Sequence, residues 1–286
     1  MFDIAEDRAA ISDLQDLAED LIKKKLPPFE RLTLLRSAAL GKGLSIRDGE
    51  LFQIFTAART KSRGISGGER PHLDLDVSEE SWLWDQLIAE ETLNLVTALQ
   101  KVGKSSFISA FLGALTHGSQ EYVGHSIKSK RRPIIIVGTD QPLRDWTEIL
   151  VPAGLMKRTG KNKAQLIDPV VRLWHKGKPL HLTESGIEEI AQLAEENKNA
   201  IVVLDAFASL ISGLGLQENY AEAVEPIRFL TEALAPTGAT PILLHHSSKS
   251  RSHERASNAA RGNNALTAEA SQIIKLDWLK SDAQDM

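Results

Sequence analysis

Five short apolar runs recur along the second part of the chain, separated by segments in which helical periodicity predominates. The runs are residues 93–96, 134–137, 201–204, 242–244 and 273–276. Apolar strands that alternate with helices are typical of a mostly parallel sheet with helices on both faces. The sequence therefore predicts an α/β domain over residues 85–286. In such a sheet, ligands bind outside the carboxyl ends of the strands.

Composition limits the remaining choices. The chain has 286 residues, a formal net charge of −4 and no cysteine. Without cysteine there are no disulfides or thiolate metal sites, which agrees with a cytoplasmic location. No apolar stretch is long enough to span a membrane, and the acidic start does not resemble a signal peptide. The acidic balance restricts nucleic-acid binding to a local basic loop or groove.

Residues 1–60 predict a small helical domain, because apolar residues recur at spacings of three and four in three successive segments. Pro27 and Pro28 end the first helix and Gly41 ends the second. The segment 45–48 resembles a capping box that opens the third. Few basic residues on the third helix favour a docking or oligomerisation domain over a DNA-binding helix-turn-helix.

Residues 61–84 are interpreted as a linker with a lead-in helix. The first part of this segment contains Ser, Gly, Arg and Pro, which is typical of a linker. A helix is predicted over residues 78–87, leading into the α/β domain.

The first apolar run is followed by Gly103, Lys104 and Ser105, and then by an amphipathic helical segment at 107–115. Strand, loop and helix in this order predict a phosphate-binding loop, whose backbone N–H groups face the phosphates. Lys104 would reach the β- and γ-phosphates, and the Ser105 hydroxyl would hold Mg²⁺. The full motif has glycine where Ala98 stands, and alanine fits only if the dihedrals there are ordinary. The predicted nucleotide-binding residues are Lys101, Val102, Gly103, Lys104, Ser105 and Ser106.

The apolar run 200–204 ends in Asp205. A carboxylate at the end of a buried parallel strand either holds Mg²⁺ or caps the following turn. The nearby phosphate loop favours the metal role, so Ser105 and Asp205 are the predicted metal ligands. The predicted cofactors are ATP and Mg²⁺.

Two other strands end in polar residues. His245 and His246 end the run at 241–244, and neighbouring strand residues point to opposite faces, so they are not expected to share a metal. One of them is a candidate sensor of the γ-phosphate, and the alternative is that both only bond to the backbone. Asp140, beyond the run at 134–137, is either the general base or a turn residue. The candidate catalytic residues are Lys104, Asp140, His245 and His246.

Residues 247–264 form a polar, net basic segment directly after the strand with the two histidines. Basic side chains in such a loop can hold a nucleic-acid backbone. The candidate DNA-binding residues are Lys249, Arg251, Arg255 and Arg261. The alternative is a solvated loop without a partner. A second basic cluster, residues 128–132, is predicted to be solvated surface.

With its motifs in this order, the chain resembles the RecA-like hexameric ATPases and looks most similar to the RepA-type replicative helicases. The resemblance covers about residues 85–280, and its motifs are the segments 101–106, 203–205, 245–249 and 261–266. It implies a RecA-like P-loop core preceded by a small helical domain. It also implies ATP hydrolysis by a homo-oligomeric ring, expected to be a hexamer, with single-stranded DNA in its channel. The sensor role of His245 or His246 is strengthened by it.

Two positions depart from the family pattern. The family has a Glu just after the second strand as catalytic base, and this chain has Thr139 and Asp140, whose side chains are shorter. The family also supplies a basic finger from the neighbouring subunit, and the segment 272–275 contains no Arg. Lys275 and Arg261 remain as candidates, although a lysine lacks the bidentate fork of arginine.

The sequence supports two functional hypotheses. The first is a replicative helicase, a ring ATPase that acts on single-stranded DNA. The second is a nucleotide-dependent oligomeric switch with weak hydrolysis that recruits a primase or a replication initiator. Ala98 and the two departures favour the switch. A small-molecule kinase is less well supported, because the sequence has no Arg-rich lid.

Overall fold

The computed structural model describes residues 4–24, 28–62, 80–218, 221–247 and 264–277. It divides into two compact units, Met1–Ser78 and Glu79–Met286. No helix in the described part of the chain is long and apolar enough to cross a membrane.

The first unit contains the three predicted helices, α1 (Ile4–Lys23), α2 (Pro28–Gly41) and α3 (Asp48–Ser62). Their buried apolar residues form one small core of Leu14, Ala18, Leu35, Ala39, Leu51, Ile54, Phe55 and Ala58. The start of α3 differs from the prediction. The Arg47 N–H donates to Glu50 Oε2 at 2.7 Å, so Arg47 flanks the first turn and Glu50 supplies the side-chain cap.

The second unit contains all the strands of the described chain. They are β1 (Trp82–Trp84), β2 (Ile88–Ala89), β3 (Asn94–Ala98), β4 (Glu121–Tyr122), β5 (His125–Ser126), β6 (Ile134–Gly138), β7 (Met156–Gly160), β8 (Lys163–Leu166), β9 (Val170–His175), β10 (Ile201–Asp205), β11 (Thr240–His246) and β12 (Gln272–Leu276). Its helices are α4 (Lys104–Thr116), α5 (Leu143–Leu150), α6 (Glu184–Glu196), α7 (Phe207–Ile211), α8 (Glu225–Leu234) and α9 (Asn264–Glu269). Short 3-10 helices lie at Ser212–Leu214, Ala221–Val224 and Ala235–Thr237.

Six strands form the central sheet in the order β12-β3-β11-β10-β6-β9, and every neighbouring pair is parallel. Five of them coincide with the five predicted apolar runs. Ile136 and Val203 pack on one face with apolar side chains of α4 and α5. Val137 and Leu204, which alternate with them, are also fully buried, so both faces are covered. The prediction of an α/β fold with a mostly parallel sheet is confirmed.

The lead-in helix predicted over residues 78–87 is wrong, because β1 and β2 form an antiparallel pair there. The Trp84 ring stacks on Phe111 of α4 with ring centroids 5.0 Å apart. The Trp84 Nε1–H also donates to the Tyr122 carbonyl at 3.1 Å. These long-range contacts of the indole override the local helical pattern.

Candidate functional site

The loop between β3 and α4 lies at the carboxyl edge of the sheet, where the fold places a ligand. Gly103 has φ +97°, a left-handed conformation in which glycine is favoured. Lys101 has φ +65°, which is uncommon for a residue with a side chain. Backbone N–H groups in the first turn of α4 have no partner within the helix, so this turn can receive an anion.

Ala98 fits the position where the phosphate-loop motif has glycine. It is the last residue of β3 and is not among the described residues with a positive φ. Its carbonyl accepts hydrogen bonds from the Ser247 N–H at 2.9 Å and from Lys104 Nζ at 3.4 Å. The backbone at Ala98 is ordinary strand, so the condition for replacing this glycine is met.

Lys104 is almost fully buried, and its ammonium group lies beside a histidine ring and two backbone carbonyls. Nζ lies 2.9 Å from His246 Nδ1 and 3.4 Å from the carbonyl oxygens of Ala98 and Leu99. Burial lowers the pKa of Lys104, and the carboxylates of Asp205 and Asp140 partly oppose this. A bound phosphate would give this ammonium a charged partner at close range.

Ser105 and Asp205 meet at the ends of α4 and β10. The Ser105 hydroxyl donates to Asp205 Oδ2 at 2.5 Å, and Asp205 is only 2% exposed. Burial raises the pKa of Asp205, and the hydrogen bond from Ser105 opposes this rise. A hydroxyl and a carboxylate are oxygen ligands of the kind that Mg²⁺ prefers. These two residues therefore fit a magnesium site, and their metal role stays a prediction.

The described residues contain no group of three or more His, Asp or Glu side chains that could hold a metal by itself. A magnesium ion at Ser105 and Asp205 would therefore take most of its ligands from water and from phosphate oxygens. That division of ligands is usual for Mg²⁺ in nucleotide sites.

Gln141 belongs to the site, and the sequence analysis missed it. Its Nε2 donates to Ser105 Oγ at 2.9 Å and to Asp205 Oδ2 at 3.2 Å. The backbone carbonyl of Gln141 accepts from the Lys176 N–H at 2.8 Å. An amide does not titrate, so its residue type alone does not indicate a catalytic or metal-binding role. The available signal was its position, just beyond the carboxyl end of a buried parallel strand.

His246 bridges Lys104 and Asp140. Its Nδ1 lies next to Lys104 Nζ, and its Nε2 lies 3.8 Å from Asp140 Oδ2. The ring of His246 therefore reaches both neighbours, each through a different nitrogen. His246 lowers the pKa of Asp140, while burial of the carboxyl group acts in the opposite direction. Asp140 is therefore ionised at neutral pH.

His245 lies apart from this group. It is 1% exposed, and its ring meets the Phe207 ring edge-on with centroids 5.5 Å apart. The two histidines thus face different neighbours, as their adjacent positions on β11 predict. Of the four candidate catalytic residues, Lys104, Asp140 and His246 come together and His245 does not.

Gly138 fixes the end of the strand that carries Asp140. A Cβ atom there would lie 2.2 Å from Cζ2 of Trp146, which is far inside van der Waals contact. The Trp146 Nε1–H donates to the Gly138 carbonyl at 2.9 Å, which holds α5 against β6. The absence of a side chain at Gly138 therefore sets where α5 begins relative to the site.

The candidate DNA-binding residues Lys249, Arg251, Arg255 and Arg261 lie outside the described residues. Their roles stay predictions. The alternative finger candidate, Lys275, forms an ion pair with Asp277 at 2.9 Å.

Comparison with known proteins gives a family match. A family model described as AAA domain (AAA_25) matches residues 73–252, more than half of the chain. A solved structure of a KaiC-like protein from the hyperthermophilic archaeon Pyrococcus horikoshii OT3 is also similar. It is 17% identical with a TM-score of 0.46, and the alignment covers 71% of this chain and 78% of that chain. No curated protein matched the sequence.

Proposed function

The chain belongs to the AAA domain family AAA_25, and from this premise we propose that it binds ATP with Mg²⁺ and hydrolyses it as a ring acting on single-stranded DNA. The coarser conclusion, a nucleotide-binding ATPase with a RecA-like P-loop core, is confirmed. The observation that carries the proposal is the convergence of Lys104, Ser105 and Asp205 at the carboxyl edge of the sheet.

The buried residues account for nucleotide binding. Lys104 would exchange its contact with His246 for contacts with oxygens of the β- and γ-phosphates. Ser105 and Asp205 would hold Mg²⁺, which would neutralise charge on the phosphates during transfer. Gln141 would keep the Asp205 carboxylate oriented, since its amide already bonds to both residues.

Asp140 and His246 account for hydrolysis. Asp140 would accept the proton of a water whose oxygen bonds to the γ-phosphorus, while the bond to the leaving oxygen of ADP breaks. His246 lies between Asp140 and Lys104, so loss of the γ-phosphate would change its contact with Lys104. This contact supports the γ-phosphate sensor role for His246.

The residues directly after His246 support an action on DNA. The next residue, Ser247, donates its N–H to the Ala98 carbonyl, which ties the end of β11 to the start of the phosphate loop. The candidate DNA-binding residues come next in the sequence. A movement of His246 on hydrolysis would therefore reach the segment that we propose grips single-stranded DNA.

The second candidate is the nucleotide-dependent switch that recruits a primase or replication initiator. One observation favours it: Asp140 replaces the usual Glu and is held by His246, which makes it a weak proton acceptor. Slow hydrolysis would then leave the ATP-bound assembly long-lived.

The deciding experiment measures ATP hydrolysis with and without an oligothymidylate, and molecular mass by light scattering with and without ATP. The motor proposal expects hydrolysis to rise with DNA and Lys104→Ala to lower it about 10²–10³-fold. Lys198→Ala, at a solvent-exposed ion pair, is the matched control and should hydrolyse normally. If DNA changes nothing while ATP still drives assembly, the switch replaces the motor. A monomer under every condition excludes both rings.

A further inference from the structure

An open groove of about 480 Å³ lies between α5 and the β7–β8 hairpin. Arg144 and Glu148, on one face of α5, line one side. Arg158 and the hairpin tip at residues 161–163 line the other side. The groove is therefore built from two regular elements of the second unit rather than from a single loop.

The groove is strongly cationic. Its charged lining consists of Arg144, Arg158, Lys161 and Lys163 against one acid, Glu148. Glu148 is already engaged, because Arg158 Nη2 contacts its Oε1 at 2.6 Å. The other three cations have no ion pair with any residue that the structure describes. Residues 156–167 also contain no Asp or Glu, although the whole chain has a net charge of −4.

We propose that this groove binds the phosphate backbone of single-stranded DNA, an inference that rests on the proposed action on that nucleic acid. Three cations without acidic partners face one groove, which matches a chain of phosphates. No aromatic side chain lines it, so bases have nothing to stack on. Binding there depends strongly on salt and only weakly on base identity.

The groove is joined to the nucleotide site through α5. The helix begins two residues after Gln141, whose amide contacts Ser105 and Asp205. Leu143 and Arg144, in the first turn of α5, line the groove. A displacement of Gln141 by a bound metal would therefore reach the groove through one short helix. Nucleotide and DNA would then change each other's affinity by the same factor.

The test measures fluorescence anisotropy of a labelled oligothymidylate with the full chain, over about 50 to 200 mM salt. Lys161→Ala/Lys163→Ala removes two of the proposed contacts. Lys128→Ala/Lys130→Ala removes the same charge from the cluster just before β6, outside the groove. The groove variant should bind about tenfold or more weakly, with a salt slope reduced by about 1.4, whereas the control should bind like the wild type. Oligoadenylate should give the same ranking.

The outcomes separate this inference from the proposed function. If both double variants bind DNA as tightly as the wild type does, the proposal for the groove is overturned, while the proposed action on DNA survives. Retained binding in the groove variant with loss only in Arg251→Ala/Arg255→Ala overturns it as well. If the wild type binds no DNA while ATP is hydrolysed, both proposals fail and the ATPase remains. ATP hydrolysis without DNA should be unchanged in the groove variant, which shows that it is folded.

Discussion

The candidate site has two halves that differ in their exposure to water. The inner half is Lys104, Ser105 and Asp205, where the two charged residues are 5% and 2% exposed. The outer half is Asp140 and His246, and the Asp140 side chain is 46% exposed. Burial lowers the pKa of Lys104 and raises that of Asp205, so it disfavours the charged form of both. His246 lowers the pKa of Asp140, which favours the charged form there.

The difference teaches that binding and hydrolysis depend on different parts of the site. The inner half contains desolvated charges that a metal and a phosphate would complete, so it is a binding element. In the outer half, the Asp140 carboxylate is ionised and open to water, so it can act on the bound nucleotide. Substitutions should therefore separate affinity from turnover.

The largest effect expected within this comparison is on turnover. Asp140→Asn should lower the rate constant of ATP hydrolysis about 10²-fold, because it removes the proposed proton acceptor. ATP affinity should stay within about threefold, because Asp140 does not belong to the inner half. Single-turnover hydrolysis and equilibrium binding of a fluorescent ATP analogue measure the two effects.

Asp145→Asn is the matched control, since it makes the same exchange at an exposed position on α5. Asp140→Glu restores a carboxylate with longer reach and should hydrolyse ATP at least as fast as the wild type. Equal losses of affinity and turnover in Asp140→Asn would contradict the division into two halves.

A smaller effect is expected at Gln141, which contacts the inner half from its edge. Gln141→Ala should weaken Mn²⁺ binding to the protein–ATP complex about tenfold, as for other residues that orient metal ligands. Mn²⁺ titration followed by electron paramagnetic resonance measures this directly. Gln192→Ala, on the exposed surface of α6, serves as control. Unchanged Mn²⁺ affinity in Gln141→Ala would show that the two hydrogen bonds do not prepare the metal site.

The smallest expected effect is on how the stability of the ligand-free protein depends on pH. Asp205 and Asp140 contribute to this dependence in opposite directions. The folded state raises the pKa of Asp205 above its usual 3.8, so it binds that proton more tightly than the unfolded chain. The free energy of unfolding therefore falls as pH rises from 3.8 to the raised pKa. The folded state lowers the pKa of Asp140, so its contribution is lost as pH falls below 3.8.

Thermal unfolding of the ligand-free protein across acidic and neutral pH tests these signs. Asp205→Asn should remove the loss of stability that occurs as pH rises above 3.8, a change on the order of a few degrees in Tm. Asp140→Asn should remove part of the loss of stability that occurs as pH falls below 3.8. If both variants change the profile in the same direction, the contrast between the inner and outer halves is wrong.

Much of the sheet could be predicted, because a strand buried on both faces contains an apolar run with few polar residues. β3, β6, β10 and β11 are such strands, and all four coincide with predicted runs. β9 was not predicted, because it is an edge strand on which Val171 and Arg172 are exposed. The strand at residues 82–84 could not be predicted locally, because Phe111, on which Trp84 stacks, lies far away in sequence.

The inner half of the site was predictable for a different reason. Lys104, Ser105 and Asp205 are charged or hydroxyl residues at the ends of recognisable strands and loops, so their chemistry is visible in the sequence. The role of Gln141 was not predictable, because an amide in a turn is compatible with many roles. Only the fold brings Gln141 next to Asp205. The choice between His245 and His246 also depends on which face of β11 meets Lys104.

The strand order has a consequence for protein synthesis. β3, which leads into the phosphate loop, lies between β11 and β12, and both leave the ribosome long after it. Lys104 and His246 are 142 positions apart. A nascent chain that carries the phosphate loop therefore still lacks both neighbours of β3 and the ring that faces Lys104. Nucleotide capture awaits late translation, so the unfinished polypeptide is inactive and offers unpaired strand edges to chaperones.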